Sequence, residues 1–152
     1  MVSDDLAAFV RSGVSIYVGT RDAHLEPHGT RVSALRVEED GVHVVAFLFE
    51  GAAEPILRDL EDNGQVALAV SRPTDHRSCQ LKGTFVESRP VLPDEREEVE
   101  RQADRFLREL ETIGIPRALT SRWNLWPCLA LRVRVERVYE QTPGPGAGEP
   151  MR

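Results

Sequence analysis

The sequence predicts a mainly β fold: a six-stranded, mostly antiparallel β-barrel with α-helices on its periphery. Short β-branched runs with period-two alternation recur at 14–20, 28–37, 42–49, 65–70, 77–87 and 128–139. Hairpin signals join several of them, Asp40-Gly41 most clearly, and such links are too frequent for a doubly wound parallel sheet. Helical periodicity is confined to three segments: before the first run, between the third and fourth, and between the fifth and sixth.

Each element has a local reason. Leu6, Phe9 and Val10 share one face of a short helix that Ser3 caps and Gly13 ends. "VSIYVGT" is the first strand and "RDAHLEP" the turn after it. Ala53, Ile56, Leu57 and Leu60 repeat at helical spacing, with Pro55 in the first turn and Asn63-Gly64 as the stop. Pro93 opens the longest helix, where Asp94 and Glu95 favour the dipole and Val99, Ala103, Phe106 and Leu110 form the buried stripe. Gly114 and Pro116 end it. Residues 1–140 therefore read as one domain, and 141–152 as a flexible Pro/Gly-rich tail. "VHVVAFLF" and "QVALAV" are apolar on both faces, so helices and a partner subunit are expected to cover them. That points to a homodimer.

Composition removes several function classes. A chain of 152 residues suits one domain, and a formal charge of −6 argues against a general nucleic-acid binder. No apolar run reaches the length of a membrane span, and the acidic start "MVSDDLAAFV" leads us to expect a cytoplasmic protein. Cys79 and Cys128 lie in apolar strands and read as buried, reduced thiols. There is no G-x-G-x-x-G after a strand and no G-x-S-x-G elbow, and "PGPGAG" lacks the lysine and hydroxyl of a P-loop. His24 and His28 are four apart, but Pro27 between them makes turn histidines the better reading than a metal pair. No metal site is expected, and no residue stands out as catalytic. A cofactor would have to carry any chemistry.

The ordered set "VGTRDAHLEPHGTRVSAL", "DGVHVVAF", "LRDLEDNGQVALAVSRP" and "RSCQLKGTFVE" resembles the pyridoxamine 5'-phosphate oxidase-like family of FMN-binding split barrels, over most of residues 6–140. The resemblance implies a six-stranded antiparallel split β-barrel, a homodimer with FMN in clefts at the subunit interface, and flavin-dependent oxidation or reduction of a small molecule. It places Arg31, Val32, Ser33 and Ala34 along the flavin, with Arg31 toward the phosphate. It brings Arg77, Ser78, Gln80 and Lys82 to the same cleft, with Lys82 or Arg77 beside the reduced ring. Strand parity by itself puts Ser78, Gln80 and Lys82 on one face and Arg77 on the other. That polar face suits either a hydrated edge or the wall of a ligand cleft.

The chain also departs from the family pattern. A basic pair is expected at the start of the second helix, where this chain has "EGAAEPILRDL", with Glu54 and only Arg58 nearby. Ser78 stands where a second flavin-contacting glutamine is usual. The substrate-phosphate cluster near the C-terminus is missing, since "SRWNLWP" offers only Arg122. A deazaflavin or haem in the same cleft, or a non-catalytic sensor on the same fold, are the alternatives these departures leave open.

Overall fold

A computed structural model describes residues 2–151. Six strands close into an antiparallel barrel: β1 (Ser15–Arg21), β2 (Pro27–Val37), β3 (His43–Phe49), β4 (Gln65–Ser71), β5 (Ser78–Pro90) and β6 (Cys128–Glu140). Their order around the barrel is β1-β2-β3-β6-β5-β4. Helices α1 (Asp4–Val10), α2 (Glu54–Asn63) and α3 (Glu95–Thr112) stand where periodicity places them, and a short α4 (Arg117–Thr120) follows. Ser3 does cap α1, its Oγ accepting the Leu6 amide at 3.2 Å. Gly64 ends α2 at φ 69°, a left-handed turn that favours glycine. No described helix is long and apolar enough to cross a membrane.

Strand alternation fills the interior. Ile16, Val18, Val32, Leu35, Val44, Leu48, Leu68, Leu81 and Leu131 point inward, and Leu6, Phe9, Ile56 and Leu60 join the same cluster from α1 and α2. A second cluster lies outside the barrel wall: Ala34, Val45, Phe47, Cys128 and Ala130 beneath Val99 of α3. β3 is thus apolar on both faces because α3 of the same chain covers its outer one. This corrects the expectation that β3 needs a partner subunit. The outward residues of β4 are Gln65, Ala67, Ala69 and Ser71, which are small or polar.

Gln102 and Glu95 are the buried polar anchors of α3. β1 pairs with β2 only as far as Val32, which leaves the β2 backbone beyond it without a strand on that side. Gln102 of α3 takes the strand's place: its Oε1 accepts the Leu35 amide, and its Nε2 donates to the Leu35 carbonyl at 3.1 Å. Leu35 is fully buried, so both backbone groups depend on this one amide. Gln102→Ala should lower stability by about 2–4 kcal/mol, from two unsatisfied buried groups. Urea denaturation checks this; a loss below about 1 kcal/mol would mean that water replaces the amide.

The second anchor is Glu95, which is 4% exposed and bridges Arg36 of β2 and Arg89 of β5. β6 outruns β3, whose last partner is Arg134. The tail, expected to be flexible, lies back along that free edge. The Glu140 amide donates to the Glu149 carbonyl at 2.9 Å and the Met151 amide to the Val138 carbonyl at 2.8 Å. Met151 packs against the inner core.

Candidate functional site

With α3 over β2, β3 and β6, the outer face of β1, β4 and β5 is left open. Tyr17 is 46% exposed there, and Ala69 and Lys82 are exposed beside it. Register aligns this face into rows. One runs Arg31, Tyr17, Ala69, Gln80, Tyr139, and the next runs Gly29, Gly19, Ala67, Lys82, Arg137. Strands about 4.8 Å apart put Arg31 and Gln80 about 14 Å from each other along the row. Ser15, Ser71 and Ser78 form a third row, in which the Ser78 hydroxyl donates to Ser71 Oγ at 2.7 Å.

Arg31 is held by aromatic rings. Its guanidinium lies 4.6 Å from the Trp123 ring centre, 5.0 Å from Tyr17 and 5.1 Å from Phe106. It donates to the Tyr17 hydroxyl at 2.8 Å and to Ser15 Oγ at 3.4 Å. No carboxylate among the described residues pairs with it. An arginine fixed in direction and lacking a counterion is suited to receive an external anion.

The other residues expected on β2 fall elsewhere. Val32 points into the barrel. Ser33 is buried, donating to the Leu125 carbonyl at 2.8 Å, and Ala34 lies under α3. Arg77 belongs to neither row. It pairs with Asp5 and stacks 4.4 Å from the Phe9 ring, tying α1 to the β4–β5 turn. The structure therefore brings together Arg31, Ser78, Gln80 and Lys82, and sets Arg77, Val32, Ser33 and Ala34 apart from them.

The open face deepens at one end into a hollow of about 550 Å3, where Gly19, Ala67 and Gly83 meet Arg21, Lys82, Glu136, Arg137 and Tyr139. Bulges shape it. The β5–β6 register shifts between Lys82 and Gly83, and Glu136 is left without a partner strand residue. A side chain at Gly83 would collide with the Arg134 carbonyl, so glycine is required there. At Gly19 the case is reversed: an added Cβ would meet nothing nearer than the Ala67 carbonyl at 4.0 Å. The fold does not demand that glycine. A bare glycine within a strand often marks close approach by a ligand or another backbone.

Tyr17, Arg21, Arg137 and Tyr139 join the site although no motif in the sequence marks them. Their signal was parity: each is outward on its strand, but only the partner strands show which outward residues become neighbours. Asp59, a 1% exposed carboxylate of α2, is likewise unmarked in the sequence. Asp59 Oδ2 accepts the Thr20 hydroxyl at 2.6 Å and lies 2.7 Å from His28 Nδ1, and these bonds, Thr20's first, lower its pKa. This triad fastens α2 to the β1–β2 turn, so His28 is tied through Nδ1 and is not a free turn residue. Cys79 is deeply buried, its thiol pKa pushed up to about 12 by desolvation, and is chemically quiet. Glu54 lies in a separate acidic hollow with Glu50, Glu61 and Arg58, away from the open face.

No protein-family model matches the sequence, and no curated protein matches it. Solved structures do resemble it. HupZ of Group A Streptococcus superposes with a TM-score of 0.58 at 16% identity, over 97% of this chain and 100% of that one. A candidate pyridoxamine 5'-phosphate oxidase of Lactobacillus delbrueckii gives 0.57 at 11%, over 91% and 93%. An F420 reductase gives 0.56 at 13%, over 90% and 98%. The class this defines is one of fold: the chain has the split β-barrel fold that these structures share. At such identities the likeness extends to architecture and no further.

Proposed function

We propose that the open β1–β4–β5 face binds FMN and that the chain is a cytoplasmic, homodimeric, flavin-dependent oxidoreductase acting on a small molecule. The observation that carries this reading is the alignment of Arg31, Tyr17, Ala69 and Gln80 in one row beside Gly19, Ala67 and Lys82. Gly19, Ala67 and Ala69 present nothing larger than a methyl group, which gives a flat floor for a planar ring. Gln80 and Lys82 stand at its edge, and Arg31 lies where an anionic arm would end. A bound flavin supplies hydride exchange. The chain's part is to orient it, to hold negative charge near Lys82, and to exclude water. An apolar ring on an open sheet needs a cover, and a second copy of the same face is the simplest one.

The F420 reductase likeness supports a second reading in which a deazaflavin occupies the same floor. Haem is the remaining alternative on the same face, where the rows named above offer no His, Cys or Met and only Tyr17 and Tyr139 as ligands for the iron. The test is a fluorescence titration of FMN and riboflavin against wild type, Arg31→Ala and Lys82→Ala. Loss of one charge-assisted contact should weaken FMN binding roughly ten- to a hundredfold. Riboflavin, which lacks the phosphate, should be unaffected by Arg31→Ala and weakened by Lys82→Ala. Equal FMN affinity in all three proteins would return the face to a hydrated sheet edge.

A further inference from the structure

We propose that the hollow between Arg21 and Arg137 is a separate anion subsite that receives the phosphate or carboxylate of a small substrate. This deepens the flavin reading by naming a substrate class, and rests on it only for the identity of the neighbouring ligand. The support is geometric and electrostatic. Arg21 lies at the end of β1 and leans over β4, its Nη2 donating to Gln65 Oε1 at 3.1 Å. Arg137 comes from β6 on the opposite wall beside Tyr139, and Lys82 stands between them, 5.3 Å from the Tyr139 ring centre. None of the three cations pairs with a carboxylate among the described residues. Arginines elsewhere on this acidic chain commonly do, as Arg36, Arg72, Arg89 and Arg132 show.

One carboxylate, Glu136, lies in the hollow, and it is engaged at 2.8 Å by the Thr84 hydroxyl. On a protein of net charge −6, three cations against the single Glu136 carboxylate leave a surplus of positive charge around a hollow of about 550 Å3, where a small molecule fits. The hollow is also beyond Lys82 from Arg31, at the opposite end of the face from the arm-binding arginine. An anion there would place the rest of a substrate against a flavin lying on the Ala67–Gly19 floor.

Inorganic phosphate is the probe, titrated into isotope-labelled full-length protein and followed by NMR. Arg21→Gln and Arg137→Gln are the variants, and Arg58→Gln, in the acidic hollow of α2, is the control. Saturable shifts at Gly19–Arg21 and Lys82–Thr84 are expected, with affinity lowered roughly tenfold in the two variants and unchanged in the control. FMN affinity should be the same in Arg137→Gln as in wild type. No saturable binding, or equal phosphate affinity in all four proteins, would overturn the proposal. So would weaker FMN but unchanged riboflavin binding in Arg137→Gln, because the hollow would then hold the cofactor's own phosphate while the flavin reading stood. Phosphate binding as expected in a protein that takes up no flavin would leave the subsite in place and remove the flavin reading.

Discussion

Replacing Glu95 by alanine is expected to cost about 3–5 kcal/mol of folding stability. The reason is the number of donors that converge on one buried carboxylate. Its Oε1 accepts Arg89 Nη2 at 2.6 Å and Arg36 Nη2 at 2.7 Å, and its Oε2 accepts Arg89 Nη1 at 2.8 Å and the Leu92 amide at 2.9 Å. These bonds, Arg89's first, lower the Glu95 pKa from 4.5 to about 2. The folded-state pKa is depressed, so the stabilisation is complete above the unfolded value and is lost as pH falls from there through about 2. Urea denaturation of wild type and Glu95→Ala should show the gap narrow over that acid range. A gap that stays constant would mean that the carboxylate's charge contributes little. Arg36 retains Glu98 at 2.9 Å, which keeps the loss from growing further.

Gly19→Val is expected to move stability and ligand binding in opposite directions. Glycine within a strand costs about 0.5–1 kcal/mol relative to alanine, and valine favours strands more than alanine does. The chain leaves room for the new side chain, because the nearest atom to the added Cβ is 4.0 Å away. The variant should therefore unfold at a higher urea concentration. A branched side chain on the floor between Tyr17 and Ala67 would nonetheless lift a planar ring from the sheet. FMN and riboflavin affinity should both fall by more than about tenfold, since the obstruction lies under the ring and not at the phosphate. A purely structural glycine would show the reverse: lower stability, with flavin binding reduced only in proportion to unfolding.

Much of the fold was legible because alternation and helical spacing report burial directly. All six strands and the three principal helices lie where the residues placed them. The β3 outer face was misjudged for a physical reason: periodicity shows that Val45 and Phe47 are covered, not whether α3 or a second chain covers them. The site was half legible. Parity on β5 correctly grouped Ser78, Gln80 and Lys82 and correctly set Arg77 apart. Sequence could not reveal that Arg31, Tyr17, Ala69 and Gln80 form one row, because that depends on register across four strands. Nor could it show that Ser33 turns toward the Leu125 carbonyl, since the pairing shift in β2 between Val32 and Ala34 leaves no mark in composition. The return of the tail along β6 was hidden in the same way, in the difference in length between β3 and β6.

The placement of a flavin on the open face is tested most directly by an NMR chemical-shift map of the labelled, full-length protein as FMN is added. The expected result is a saturable, contiguous set of changes at Tyr17, Gly19, Ala67, Ala69, Gln80 and Lys82, with Arg31 at one end. Absence of saturable change, or changes gathered around Glu50, Glu54 and Glu61 at the start of α2, would contradict it.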